Sequence, residues 1–287
     1  MAEEQILRWQ IGEVRITRIL EFTAEMPFAM MFPTVEEREL HEMDWLKPHF
    51  VNPEGGISLS IHALLVEAPG KTVVVDTCFG NDKSRAQAGD MLSTRFLEKF
   101  ESEGVDRHKV DAVFCTHLHV DHVGWNTMLV DGGWVPTFPN ARYLLARTEY
   151  DYWRDNPQSD DDRALFADSV QPVVDAGLVD FVDMNHQICD ELHLVPSPGH
   201  TPGHACLWIR SLGQEAMITG DMTHHPCQWT RTDWAVPFDV NQAQSMVTRH
   251  EMAARLADRP VLVIGTHYPA PTAGHIVSRN GQTRFVT

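Results

Sequence analysis

The stretch Thr116-His117-Leu118-His119-Val120-Asp121-His122 brings three imidazoles and a carboxylate into six consecutive residues, His117 to His122. Imidazole and carboxylate together suit zinc and similar divalent metals. Four potential ligands at this spacing are too many for one tetrahedral ion that must also keep an open position, so the spacing suggests two metals side by side. The cluster directly follows the apolar run Val110 to Cys115, which reads as a buried strand with the polar group at its exit.

Other chemistry-bearing segments also stand where a strand is predicted to end, which is where loop-borne sites tend to be built. Pro198-Gly199-His200-Thr201-Pro202-Gly203-His204 follows the strand Leu192 to Val195, and Thr219-Gly220-Asp221 ends the strand Glu215 to Thr219. Gly265-Thr266-His267 ends Pro260 to Ile264, and Val75-Asp76-Thr77 ends Thr72 to Asp76. Further strands are predicted at Ile6 to Ile11, Val14 to Phe22, Ile57 to Glu67, Ala141 to Ala146, Leu178 to Val182 and Ala205 to Arg210. Helices are predicted over Met91 to Glu103, Thr148 to Trp153, Asp160 to Val174 and Asn241 to Asp258. In the last, Ala243, Met246, Val247, His250, Ala253, Ala254 and Ala257 follow three-four spacing. Asn280-Gly281 is a hairpin signal. Strands and helices alternate in two successive halves without a linker, which predicts one α/β domain over residues 1–287, with helices outside two mixed sheets. The segment 23–56 reads as a long irregular loop rich in Met, Phe and Trp: a lid, a homodimer contact, or a loop packed on its own core.

Bulk properties narrow the partners. The 287 residues are 43% hydrophobic and 22% charged, ordinary for a globular chain. A formal net charge of -17 repels phosphate backbones and argues against nucleic acid. The start, Met1-Ala2-Glu3-Glu4, lacks the pattern of a signal peptide, and no apolar run is long enough to span a bilayer. Cys78, Cys115, Cys189, Cys206 and Cys227 are scattered and form no C-x-x-C pair. That argues against a disulfide framework and a thiolate zinc site, and favours a reduced, cytoplasmic setting.

His117-x-His119-x-Asp121-His122, followed in order by His200, Asp221 and His267, resembles the five-histidine, two-aspartate pattern of the metallo-β-lactamase superfamily. Any one piece would be weak evidence; all of them in order, each after a strand, are specific. The resemblance implies the αβ/βα sandwich, two mixed β-sheets flanked by helices. It also implies that His117, His119 and His200 hold a first metal, Asp121, His122 and His267 a second, with Asp221 between them. Two Zn2+ ions are expected, with Mn2+, Co2+ or Fe2+ as alternatives. A metal-bridging hydroxide would be the nucleophile, since one zinc alone brings a bound water near neutrality. Asp76 is expected to orient a ligand histidine.

Departures within the superfamily narrow the branch. Position 119 is His, where the diiron flavoproteins carry Glu, and Asp221 stands where the common zinc β-lactamases have Cys. What remains resembles the lactonase and methyl-parathion-hydrolase-like branch. Its lactonases place a tyrosine three residues after the bridging aspartate; here that position is His224. Asp121, Asp221 and His224 are the candidate catalytic groups. The implied activity is hydrolysis of a small neutral substrate: a lactone, aryl ester or phosphotriester. A hydrolytic dehalogenase, a β-lactam or thioester hydrolase and a non-catalytic metal-binding protein are the rival readings. His204 is expected to be structural, donating to backbone, and His225 to stay off the substrate. Trp125, Trp229, Trp234 and Phe238 are candidates for an aromatic pocket against the alternative of plain core. Tyr268 is a candidate proton donor against packing. His62 is the other histidine to follow, because it lies in a strand of the first sheet.

Overall fold

A computed structural model describes residues 6–86 and 88–287, so the Met1 to Glu4 start lies outside the described residues. The first sheet holds β1 (Arg8–Ile11), β2 (Val14–Met26), β3 (Ile57–Ala68), β4 (Lys71–Val75), β5 (Ala112–Phe114), β8 (Arg142–Ala146) and β9 (Val179–Val182), in that spatial order. The second holds β10 (Leu192–Pro196), β11 (Ala205–Ser211), β12 (Gln214–Ile218), β13 (Val261–Ile264), β14 (Ala273–Arg279) and β15 (Gln282–Val286), also in order. A separate hairpin pairs β6 (Thr127–Val130) with β7 (Gly133–Pro136). Both large sheets are mixed: β4, β5, β8 and β9 run parallel, as do β12 and β13, and the other pairs are antiparallel.

Period-two alternation builds the layers. In β3, Leu64 and Val66 enter the core between the sheets, while Ala63 and Leu65 enter the core on the outer face. In β11, Leu207 and Ile209 face the first sheet, while Cys206 and Trp208 face outward. The outer face of the first sheet is covered by Phe96 and Phe100 of the helix Phe96–Ser102 and by Tyr150 and Trp153 of the helix Arg147–Asp155. The outer face of the second is covered by Met252, Ala253 and Leu256 of the helix Gln242–Leu256. Two sheets with helices on both outer faces form the predicted αβ/βα sandwich.

Several local expectations are corrected. Segment 23–56 is not an irregular loop: β2 continues to Met26, and short helical turns follow at Phe28–Met31, Glu37–His41 and Asp44–Leu46. Phe28, Met31, Phe32, Leu40, Leu46 and Phe50 are buried on the second sheet, the placement expected of a segment packed on its own core, while Met30 is exposed. The helix expected from Met91 begins at Phe96, and the one expected over Asp160 to Val174 is interrupted by a π turn at Phe166–Val170. The helix Gln242–Leu256 turns a different face inward from the one expected. Ser245, Thr248, Arg249, Met252, Ala253 and Leu256 are buried, whereas Val247 is 50% exposed. Its alanine-rich stripe carried little directional information, and a buried arginine with a full set of partners overrode it.

The site-bearing loops gather at one end. β4 and β5 are parallel neighbours, as are β12 and β13; β10 runs with β12 because both are antiparallel to β11. The carboxyl ends of these strands carry Asp76, His117, Asp221, His267 and His200, the usual placement for ligand loops in open α/β sheets.

Candidate metal centre

The seven residues singled out by spacing meet in two groups. Ligand atoms of His117, His119, His200 and Asp221 lie within 4.8 Å of one another, as do those of Asp121, His122 and His267. His117 leaves the end of β5, and the short helix Val120–Val123 turns Asp121 and His122 back toward it. The Asp221 carboxylate stands between the groups. Its Oδ2 lies 3.8 Å from His117 Nε2 and 3.5 Å from His200 Nε2, while its Oδ1 lies 3.3 Å from His122 Nε2 and 3.0 Å from His267 Nε2.

Hydrogen bonds at the far side of each ring set which nitrogen faces the centre. His122 Nδ1 donates to Asp76 Oδ2 at 2.9 Å, His200 Nδ1 to Asp239 Oδ1 at 3.0 Å, and His267 Nδ1 to the Ser60 carbonyl at 3.3 Å. Thr116 Oγ1 gives its proton to Asp76, so at 3.1 Å from His117 Nδ1 it accepts. In their neutral form, rings so held turn their Nε2 lone pairs inward. His200 Nε2 then lies 3.1 Å from His117 Nε2, and His267 Nε2 lies 3.3 Å from His122 Nε2, while His119 Nδ1 stands 2.9 Å from His200 Nε2 with its own tautomer not fixed by an outer partner among the described residues. Lone pairs this close repel unless a proton or a cation lies among them. Asp221 Oδ1 is buried without a hydrogen-bond donor among the described residues, which is a second sign that the donor set fits divalent cations.

Electrostatics differ between the groups. Burial, helped by neighbouring imidazoles, holds His117 and His200 well below the usual histidine range and His119 down to about 4. Burial would lower His122 and His267 too, but the carboxylates of Asp221 and Asp121, with Asp76 beside His122, raise both. Burial acts upward on Asp221 and is outweighed by His122, His267 and His224, so its carboxyl lies well below the usual range.

Buried polar side chains behind the ligands tie the loops together. Asp76 Oδ1 also accepts from the Thr116 N–H at 2.8 Å. Glu149 Oε1 accepts from the Leu118 N–H at 3.1 Å and from Trp153 Nε1 at 2.7 Å, and its Oε2 accepts from the Gly203 N–H at 2.9 Å, joining the His117 and His200 loops. A β-bulge between Leu20 and Phe22 marks Glu21, whose carboxylate accepts from Trp125 Nε1 at 2.7 Å and the Phe79 N–H at 2.9 Å. Gly124 packs against that same loop: a Cβ there would lie 1.7 Å from the Phe79 carbonyl oxygen. Asp239, Glu149 and Ser60 were missed in the sequence because they sit at no ligand spacing and act only through partners distant in the chain.

The remaining candidates divide. Asp76 orients His122, as expected. His224 lies in the centre, with Nε2 3.2 Å from Asp221 Oδ2, and neither ring nitrogen has a hydrogen-bond partner among the described residues. His204 is structural, but its backbone bond is accepted rather than donated: the Asp221 N–H gives to its Nε2 at 2.9 Å, its Nδ1 lies 2.7 Å from Ser197 Oγ, and burial holds its pKa down to about 3. His225 Nε2 donates to the Phe50 carbonyl at 2.9 Å, pinning the 27–56 segment. His62 Nδ1 lies 2.8 Å from Ser60 Oγ between the sheets. Tyr268 is fully buried, bonded to Thr223 Oγ1 at 2.7 Å and to Trp229 Nε1 at 2.9 Å, and burial pushes its phenol pKa up, the surroundings of a packing residue. Trp125, Trp229 and Trp234 are core residues, so no four-ring pocket forms; Phe238, 45% exposed and 6.1 Å from the His224 ring, is the one of the four beside the centre.

The sequence pattern of the Metallo-beta-lactamase superfamily matches residues 58–267, a span that contains all seven candidate ligands. The chain belongs to the metallo-β-lactamase superfamily. It is a hydrolase of the metallo-β-lactamase fold. Solved structures agree over nearly its whole length. The hydrolase AbOPH of the beta lactamase superfamily is 25% identical with a TM-score of 0.81, covering 98% of this chain and 97% of its own. AidC, a dizinc quorum-quenching lactonase solved with the product N-hexnoyl-L-homoserine, is 21% identical with a TM-score of 0.79, covering 98% and 96%. A probable metal-dependent hydrolase from Staphylococcus aureus is 19% identical with a TM-score of 0.74, covering 90% and 91%. No curated protein sequence matches the chain. Among the described residues no helix is long and apolar enough to cross a membrane.

Proposed function

We propose that this metallo-β-lactamase-fold chain is a dinuclear zinc hydrolase of small, neutral, ester-like substrates: lactones, aryl esters or phosphotriesters. The observation that carries the reading is the Asp221 carboxylate, whose two oxygens face two separate sets of imidazoles. Two divalent ions there would supply Lewis acidity and a hydroxide nucleophile at neutral pH. His117, His119 and His200 would hold one, Asp121, His122 and His267 the other, and Asp221 both. His224, with its backbone N–H given to Gln228 Oε1 at 2.7 Å and its ring nitrogens uncommitted, would donate to the substrate oxygen that gains charge. Asp121, which with His119 is only half-buried while the other five are buried, would take or pass the proton exchanged with the leaving group. The strongly acidic chain disfavours anionic substrates. AidC, described as a dizinc lactonase, adds support for both the ion count and the carbonyl substrate.

The test combines metal analysis with a substrate panel. Purified protein should take up two equivalents of zinc and hydrolyse at least one of the three compound classes. Uptake of a single equivalent would end the dinuclear reading. Two equivalents with no hydrolysis of any class would end the substrate assignment.

A further inference from the structure

Arg249 is fully buried on the inward face of the helix Gln242–Leu256, and all of its nitrogens are engaged. One terminal nitrogen donates to Ser245 Oγ at 2.8 Å, to Asp239 Oδ2 at 3.4 Å and to the Met222 carbonyl at 3.5 Å. The other donates to the Trp234 carbonyl at 3.1 Å, and Nε to the Thr232 carbonyl at 3.3 Å. The Asp239 side chain, also fully buried, uses its other oxygen on His200 Nδ1. The same segment is strapped to the His200 loop by backbone: the Val240 N–H donates to the His200 carbonyl and the Asn241 N–H to the Gly199 carbonyl, each at 2.9 Å. Gly199 permits this approach, with φ +135° and no room for a Cβ, which would meet the Ser245 nitrogen at 2.3 Å.

The other group of ligands is held by different means, His122 by Asp76 and His267 by the Ser60 carbonyl. We infer that Arg249 is a positioning residue that sets the His200 ring through Asp239, and so governs the affinity of the His117–His119–His200 site while leaving the Asp121–His122–His267 site largely alone. The inference rests on the two-site reading above. Its physical basis is the geometry of the guanidinium. A planar fork can hold Asp239 and the carbonyls of 222, 232 and 234 at once, whereas a lysine ammonium is a single point donor. An Asp239 freed from that fork no longer fixes the tilt of His200 or keeps the proton on Nδ1. Loss of such outer partners of a ligand typically costs about 10- to 100-fold in metal affinity.

The experiment is stepwise zinc removal by graded chelator competition on the full chain, comparing the wild type with Arg249→Lys and Asp239→Asn. His200→Ala and His267→Ala serve as references that assign the two release events to the two sites. Expected is a release event for the His117–His119–His200 site weakened by about 10- to 100-fold in both variants, with the other event unmoved. Cobalt-loaded protein should show the visible absorption of one ion altered and that of the other retained. Equal weakening of both events would mean that Arg249 serves the fold as a whole, and no change in either would also overturn the inference. Should Arg249→Lys fail to fold, Asp239→Asn tests the Asp239 link through which Arg249 must act, and an unmoved release event there still overturns the inference. A wild type that takes up fewer than two zinc ions would instead remove the two-site reading, an outcome visible before any variant is made.

Discussion

Asp76 Oδ2 lies 2.9 Å from His122 Nδ1 on a residue whose own backbone is left-handed, with φ +57°. Such a conformation costs a non-glycine residue roughly 1 kcal/mol or more, and Asn and Asp tolerate it best. The aspartate spans β4 and the histidine loop by bonding Thr116 and His122 at once. Asp76→Asn keeps the backbone tolerance and the shape but loses the charge that holds the proton on His122 Nδ1. Its zinc affinity should fall about 10- to 100-fold at the site containing His122, while the fold is retained. Chelator competition measures this, and an unchanged affinity would deny Asp76 an orienting role.

His224 should separate metal binding from turnover. With its ring nitrogens uncommitted and its edge on Asp221, His224→Ala should retain full zinc content and lose on the order of 100-fold in kcat, as removal of one donor to a developing charge commonly does. Zinc analysis alongside steady-state kinetics decides the matter. Loss of a zinc equivalent would make His224 a ligand instead.

Gly124 is required for space rather than for conformation, since its φ of -60° is ordinary. Its nitrogen donates to the Cys78 carbonyl at 2.7 Å, and the Phe79 carbonyl occupies the place of a Cβ. Gly124→Ala should therefore cost about 3 kcal/mol as the two loops are forced apart. Urea unfolding would show this; a variant as stable as the wild type would mean that the loops yield freely.

Lys83 supplies a pH dependence outside the metal centre. Its ammonium lies 2.9 Å from Thr127 Oγ1 and 3.7 Å from the centroid of the Trp134 ring. Burial lowers its pKa from 10.5 to about 8 against the opposing pull of Asp168. Between these values the unfolded chain binds more protons than the native one, so this group makes stability rise with pH from about 8 to 10.5 and leaves it flat below. At about 1.4 kcal/mol per unit the rise is at most about 3.5 kcal/mol. The difference in unfolding free energy between wild type and Lys83→Met, followed over that range, should show it, and a difference independent of pH would refute it.

The layer order was legible because burial writes a period of two or a solid apolar run into the strands. Val73, Val74 and Val75 of β4 and Ala112, Val113 and Phe114 of β5 serve two cores at once and show it in composition. The helix Gln242–Leu256 was legible in extent but not in orientation. Alanines on every side leave no strong stripe, and the deciding contact is Arg249 with residues 10 to 27 positions away in sequence. The 23–56 segment reads as loop in the sequence because, past the end of β2, its helical turns are three to five residues long, too short for a periodic signal, and are held by tertiary burial.

At the metal centre the division is similar. His117, His119, Asp121 and His122 announce themselves because four ligands on one strand exit is a local pattern, and His200, Asp221 and His267 follow because each ends a readable strand. The sequence alone therefore determined which residues could bind metal and that the fold must bring strand ends together. It did not determine that Asp239 holds His200, that Glu149 joins two ligand loops, that Tyr268 is sealed in the core or that His204 accepts from Asp221. Those roles arise from hydrogen bonds between residues far apart in the chain, and a buried polar group takes its function from whichever partner the packing sets within about 3 Å.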